Sequence, residues 1–416
     1  MKGEKKMTNT KLYEVLKERG LLYQCTDEEG LKKMLESGQP ITLYEGTDPT
    51  ADSLHIGHCV PYCILRRFQQ AGHKVLLLMG GATACVGDPS GKQEMRKMLT
   101  KEQVDENIEK IKNTLKVFLK FDGENPAVIV NNAEWFNGYD YVDFMREVGV
   151  HFNVNKMLSN EIYAKRIEEG GLTFFEMGYM LMQAYDFVHL NRKYGCTLQY
   201  GGQDQWGNIV AGTELQRKLN FANGTNINLI GATNPLLMTP EGKKMGKTEK
   251  GAIWIDKDKI SAYDFYQGVY QTPDSCVEMM FALFTDLPMN EVKALIAEDI
   301  VKAKKVLSFE VTKFVRGEED AVLAQQMSEN LFSQGGDDAP IVEVESSELP
   351  IGICDLIFKC NLAPSKSEAR RLIQGGAISF KGEKVARFDL MVSAEDIGDG
   401  ALLKKGKKNF IKVKVR

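Results

Sequence analysis

Residues 41–58 read ITLYEGTDPTADSLHIGH. The first six, ITLYEG, form a short apolar run of the length expected for a buried strand. A turn-rich stretch follows, with Pro49 and the pair Asp52 and Ser53. Pro61, just beyond, suits the first turn of a helix, where no backbone N–H is needed. Asp52 or Ser53 would cap that helix. His55 and His58 then stand at a helix amino terminus, where free N–H groups and the helix dipole favour an anion. Gly57 between them has no side chain, so a flat ring can lie against the backbone. Two of the chain's five histidines fall in this turn. A phosphate chain with a purine base would use every one of these features; a pair of turn histidines with no ligand would use none.

ITLYEG opens a series. KVLLLMG (74–80) and AVIVNN (127–132) read as further buried strands, while CILRRFQQAG, ENIEKIKNTLKVFL and FEMGYMLMQAYDFVHL have helical apolar spacing. Strand and helix alternate through about residue 230, which predicts an α/β fold with a parallel sheet covered on both faces. Ligands of such sheets bind beyond the carboxyl ends of the strands. Glycine-rich turns occur there: GTDPTADS, GGATACVGDPSGK and, after the extended segment 197–200, QYGGQDQWGN. Residues 231–333 read as a helical domain entered through the loop EGKKMGKTEKG. The Gly-, Pro- and acid-rich stretch 334–349 reads as a linker. Residues 350–416 read as a small separate domain.

The 416 residues exceed one ordinary domain, and 43 % hydrophobic content supports a sizeable core. No run of 18 apolar residues exists, which argues against a membrane span. The charged start MKGEKKMTNT leads into no apolar segment, so no secretory signal is expected and the cytoplasm is the expected compartment. Eight cysteines include no C-x-x-C pair, which argues against zinc and for reduced thiols. Net charge is −4, unevenly spread: Pro350–Arg416 has 14 Lys/Arg against 7 Asp/Glu, a local +7, leaving −11 for the rest. A basic end on an acidic body points to a polyanionic partner.

A second element changes the weight of the histidine turn. KKMGKT (243–248) places Lys243, Lys244 and Lys247 in a glycine-flanked loop, fit to close over a triphosphate. H-I-G-H and K-M-G-K-T, about 190 residues apart, resemble the two signatures of class I aminoacyl-tRNA synthetases. LYEGTDPTADSLHIGH, GDPSGK (87–92), YMLMQAYD (179–186) and GGQDQWGN (201–208) narrow the resemblance to bacterial tyrosyl-tRNA synthetases, over almost the whole chain.

The resemblance implies a Rossmann-like doubly wound catalytic domain over 1–230, with an insertion near 130–170 that forms a dimer interface. An α-helical domain and a small α+β RNA-binding domain come after it in the chain. It also implies roles. Tyr44 and Asp186 contact the substrate hydroxyl, and Asp88, Tyr179 and Gln183 hold its ammonium. Gln205 meets the tyrosyl carbonyl and Asp204 the ribose. Gly46, Asp48 and Gly57 belong to the nucleotide side. Tyr179, Gln183 and Asp186 share one helix face, as that grouping requires. Thr50, His55, His58, Lys92, Arg96, Lys244 and Lys247 are the implied stabilisers of the transition state and the leaving pyrophosphate. Magnesium is expected to arrive with the ATP, with no dedicated protein metal site and no organic cofactor. Gly246 and Thr248 replace the serines of the general lid motif, and Glu45 and Thr47 depart from the usual residues beside the sugar.

The tail APSKSEARRLIQGGAISFKGEKV (363–385) has its own pattern. Ser365 would cap a helix bearing Lys366, Arg370 and Arg371, with a hairpin after it. This resembles the small RNA-binding domain named after a protein of the ribosomal small subunit, which implies tRNA as its partner. Two other readings keep the fold. A tryptophan–tRNA ligase should lack both the Tyr44/Asp186 pair and the basic tail. An RNA-binding or splicing protein descended from a synthetase should have lost signature charges, and this chain keeps them.

Overall fold

The computed structural model describes residues 9–51, 53–89, 100–240, 242, 245, 247–248, 251–333, 341–406 and 409–416. The chain forms two compact units, Met1–Glu318 and Glu319–Arg416.

The first unit is built on a six-stranded sheet. Its strands are β1 (Gln24–Cys25), β2 (Thr42–Thr47), β3 (Lys74–Met79), β4 (Val128–Asn131), β5 (Cys196–Gly202) and β6 (Ile230–Asn234), in the order β1-β6-β5-β2-β3-β4. All neighbours are parallel except the short edge strand β1, which runs antiparallel to β6. The chain runs from β2 outward through β3 to β4, then returns to the other side of β2 for β5 and β6. The strand order therefore reverses between β2 and β5, the position where open α/β sheets bind ligands.

Alternation along each strand explains why both faces are covered. On β3, Val75, Leu77 and Met79 enter one core with Ile64, Leu65 and Phe68 of the helix Val60–Gln70. Leu76 and Leu78 point to the other face and pack with Tyr44, Val130, Phe187 and Leu190. Each such fully buried side chain contributes roughly 1.5–3 kcal/mol relative to exposure. The second face is covered by the helix Phe174–Tyr194. Thr173 and Glu176 form a capping box at its start, and Gly195, at φ 64°, closes it in the left-handed conformation.

The expected domain boundaries shift. A division at residue 230 would cut β6, because Ile230–Asn234 pairs along its whole length with β5. The helices Ala262–Tyr270, Asp274–Phe284, Met289–Glu298 and Ile300–Arg316 join the sheet in one unit. Buried Arg67 makes that junction: it donates to Asp286 at 2.9 Å and to the Thr285 carbonyl at 2.8 Å.

In the second unit, a five-stranded sheet has as neighbours Glu383–Lys384, Ile378–Phe380, Ala401–Lys405, Asn409–Val415 and Ile341–Val344. Ile341–Val344 corrects the linker reading of 334–349. It pairs in parallel with the last strand, and Val344 is fully buried. The acids of IVEVE hid an alternating strand pattern. Residues 334–340 lie outside the described residues. The tail helix Lys366–Gln374 is capped by Ser365, which accepts from the Glu368 N–H, and the hairpin Ile378–Lys384 comes next, as the spacing predicts.

Candidate active site

A cavity of about 710 Å³ opens at the carboxyl ends of β2 and β5, within the size range of small-molecule sites. The groups lining it come from sequence segments far apart.

Its inner end is built on Tyr44 and Asp186. Tyr44 is fully buried, tilts against the Phe187 ring at 5.3 Å, and its Oη has no partner among the described residues. Burial first, then the nearby Asp186 charge, holds the phenol well above its ordinary pKa, so it remains a donor. Asp186 is 1 % exposed; its Oδ1 accepts from Trp135 Nε1 at 2.9 Å and its Oδ2 from Asn132 Nδ2 at 3.2 Å. Burial outweighs those two bonds and raises the carboxyl well above the usual range. Asn132 also donates to Thr83 Oγ1 at 3.0 Å. Thr83 in turn donates to Asp48 Oδ1 at 2.8 Å, and Tyr179 Oη donates to Asp48 Oδ2 at 3.0 Å. One hydrogen-bonded chain thus runs from Trp135 to Tyr179 around the cavity. Gly80 makes room for it, since a Cβ there would lie 2.0 Å from Asp48 Oδ1. Gln205 Nε2 donates to Asp88 Oδ2 at 2.8 Å. The Gln183 and Gln199 Oε1 atoms are buried with no partner among the described residues. Both residues line the cavity, so these acceptors are open to a ligand's donors.

The outer end carries the histidine turn. His55 and His58 stack with ring centroids 3.5 Å apart. Ile56–Cys59 is a 3₁₀ turn leading into the helix Val60–Gln70, with Pro61 in its first turn. His55 and Cys59 stand at the two starts and neither makes a side-chain cap, and Ser53, one of the two expected caps, has its Oγ buried without a partner among the described residues. Asp52 lies outside the described residues. Gly57 has a structural consequence the sequence did not suggest. A Cβ there would meet the Met245 carbonyl at 2.1 Å, so the missing side chain admits the backbone of the lysine loop.

That approach belongs to a longer seam. Ile56 N donates to the Ile253 carbonyl and Ile255 N to the Leu54 carbonyl, both at 2.9 Å, and His55 bridges Trp254. Arg316 holds the same segment through the Trp254 and Asp256 carbonyls at 3.1 and 3.2 Å. Backbone hydrogen bonds therefore join the histidine turn to the extended segment 253–255 that follows the lysine loop.

Residues 36–333 match the family model of class I tRNA synthetases (W and Y), and residues 332–413 match that of the tyrosine–tRNA ligase SYY-like C-terminal domain. The chain is 49 % identical over 409 residues to a tyrosine–tRNA ligase of Caldanaerobacter subterraneus, covering 97 % of this chain and 99 % of that protein. It is 48 % identical to one from Clostridium botulinum, covering 96 % and 98 %. The chain belongs to the tyrosine–tRNA ligase family of class I synthetases. A truncated mitochondrial tyrosyl-tRNA synthetase from Aspergillus nidulans has a similar fold, with a TM-score of 0.68 and 29 % identity over 77 % of this chain and 94 % of that one.

In this synthetase, one cavity gathers most of the sequence-derived residues: Tyr44, Gly46, Asp48, Thr50, His55, Gly57 and His58 from the first segment, and Asp88, Tyr179, Gln183, Asp186, Asp204 and Gln205 from later ones. Lys92, Arg96 and Lys244 lie outside the described residues. Of Lys247 only the backbone is described, in the strand Lys247–Thr248 paired with Gly251–Ala252. Asp88, Tyr179 and Gln183 all line this cavity; Tyr179 Oη donates to Asp48 and Asp88 accepts from Gln205.

Sequence reasoning missed Thr83, Asn132, Trp135, Gln199 and Asn234. Asn132, Gln199 and Asn234 sit in or just after parallel strands near their carboxyl ends, where a polar residue inside an apolar run was the available signal. Trp135 carries none; it falls within the insertion near 130–170. Glu45, noted only as a departure, is buried in the cavity wall and accepts from Thr47 Oγ1 at 3.0 Å; burial pushes its carboxyl up to about 7.

Proposed function

We infer that this chain is a tyrosine–tRNA ligase. It activates L-tyrosine with ATP and transfers it to the 3′ end of its tRNA. The observation that carries this reading is the partnerless Tyr44 phenol beside Asp186. A substrate hydroxyl there donates to the carboxylate and accepts from Tyr44. Phenylalanine would leave the Tyr44 hydroxyl buried and unpaired and Asp186 without the substrate's donor.

In the first step a tyrosine carboxylate oxygen attacks the α-phosphorus of ATP. A new P–O bond forms as the bond to pyrophosphate breaks. No covalent protein intermediate is needed, so alignment and charge neutralisation carry the rate. Asp88, Tyr179 and Gln183 hold the ammonium, Gln205 the carbonyl and Asp204 the ribose, and His55, His58, Thr50, Arg96 and the lysines hold the phosphates. In the second step a terminal ribose hydroxyl of tRNA attacks the mixed anhydride carbonyl, and AMP leaves. Magnesium enters on the ATP phosphates; among the described residues no three His, Cys, Asp or Glu side chains converge as a site of its own. The basic stretch Pro350–Arg416 of the C-terminal unit holds tRNA. The protein works as a homodimer in the cytoplasm. The exposed Tyr141, Val142, Val150, Val154 and Phe174 support the dimer. No helix among the described residues is long and apolar enough to cross a membrane.

The test is amino-acid-dependent exchange of labelled pyrophosphate into ATP, with tyrosine, phenylalanine and tryptophan in parallel. Exchange with tyrosine alone is expected. Exchange with tryptophan would overturn the pocket, and no exchange from folded protein would overturn the enzyme.

A further inference from the structure

The three cations expected to meet RNA are not equivalent. Lys366 is paired with Asp355, and Arg371 with Glu368 at 3.5 Å. Nearby Arg387 is paired with Asp389 at 2.8 Å. Among the described residues no carboxylate pairs with Arg370. Its guanidinium instead lies over the ring of Phe388, 5.5 Å from the centroid.

Phe388 stands in the turn after the strand Glu383–Lys384 and is 46 % exposed. A large aromatic ring so placed in a small domain calls for a reason. It is not loose: the Phe388 carbonyl accepts from Cys354 Sγ at 3.4 Å, and the Leu390 carbonyl accepts from Ile353 N at 2.8 Å. The helix Ile353–Lys359 thus anchors the turn, and Phe358, one helical turn beyond Cys354, is also 45 % exposed. The result is an exposed ring in an anchored turn, with an acid-free guanidinium over it, within the stretch Pro350–Arg416 of local charge +7.

We propose that Arg370 and Phe388 form a stacking platform for one unpaired base of the bound tRNA. This rests on the tRNA-ligase reading above and names how one part of that RNA is gripped. Planar guanidinium and aromatic faces are what unpaired bases stack on, and stacking tolerates any base. The positive surroundings favour a nucleic acid over an apolar protein surface as the occupant. Arg370 serves twice: its charge attracts phosphate, and its plane, ordered by the ring, extends the stack.

The test uses the full chain and a tyrosine tRNA transcript. Dissociation constants are measured at several salt concentrations, with tyrosine-dependent pyrophosphate exchange as the control. Phe388→Ala should weaken tRNA binding roughly ten- to hundredfold, with the salt slope, the exchange rate and the melting temperature unchanged. Phe388→Leu, which keeps apolar bulk without a ring, should bind as weakly as the alanine variant. Phe388→Trp should bind like wild type. Arg370→Ala should weaken binding and also lower the salt slope by about one. Alanine binding within twofold of wild type, or leucine binding as well as phenylalanine, overturns the platform. Failure of the wild-type protein to charge the transcript overturns the parent reading instead.

Discussion

The polar groups of the cavity and the cations of the C-terminal unit stand at opposite dielectric extremes. Asp186 is 1 % exposed and accepts from two fixed donors, whereas the Arg371 side chain is 79 % exposed beside a neighbour three residues away. In the buried setting a charge without partners is costly, so Asp186 and Asp48 are enmeshed with neutral donors and the removal of one partner propagates. At the surface an ion pair contributes about 0–1 kcal/mol and is screened by salt. Small-molecule discrimination belongs to the first setting. Long-range attraction of a polyanion belongs to the second.

The sharpest test of that contrast is Asp186→Asn. It removes a buried acceptor and leaves the Asn132 or Trp135 donor without its charge partner. The kcat/KM for tyrosine in pyrophosphate exchange should fall about 10²- to 10³-fold. A loss of only a few-fold would mean that the cavity is wetter than its burial implies.

Lys247→Ala should slow adenylate formation by about 10²-fold while leaving tyrosine binding nearly intact, measured by single-turnover kinetics and equilibrium binding. A collapse of tyrosine affinity with an unchanged activation rate would remove the lysine loop from the phosphate side.

Glu45 probes burial alone. Its carboxyl titrates near 4.5 in the unfolded chain and near 7 in the fold, so the folded protein holds an extra proton between those values. The stability it contributes is full below about pH 4.5 and is lost as pH rises through 7. Glu45→Gln cannot lose a proton. In urea titrations its advantage over wild type should grow by up to about 3 kcal/mol between acid and mildly alkaline pH. A pH-independent difference would place Glu45 in contact with water.

The smallest effect belongs to the exposed end. Arg371→Ala should weaken tRNA binding a few-fold and lower the slope of log affinity against log salt by about one, with activation untouched. An equal loss at all salt concentrations would argue against a phosphate contact.

Much of this was readable because the elements obey local rules. ITLYEG and KVLLLMG are mostly apolar along their whole length because parallel strands are buried on both faces, and such runs stand out. Ser365 and Thr173 cap helices through a hydroxyl and an N–H three residues on. IVEV failed as a strand because its acids and the surrounding Gly and Pro suited a linker, and only pairing with Asn409–Val415 makes it one. Ser53 failed as a cap because the helix begins in a 3₁₀ turn, which moves its start away from that hydroxyl.

By itself the sequence determined the class of fold, the histidine turn and lysine loop, the Tyr179–Gln183–Asp186 face and the basic helix behind Ser365. All of these depend on spacing within one element or on a short word of fixed residues. Only the tertiary structure decided what surrounds them. Asn132 and Trp135 meet Asp186, Gly57 admits Met245, and Trp254 lies along His55, because strands and loops distant in the chain end at one edge of the sheet. The physical reason is that local periodicity is written in neighbouring residues, whereas a buried polar group takes its partner from whichever segment packing brings within about 3 Å.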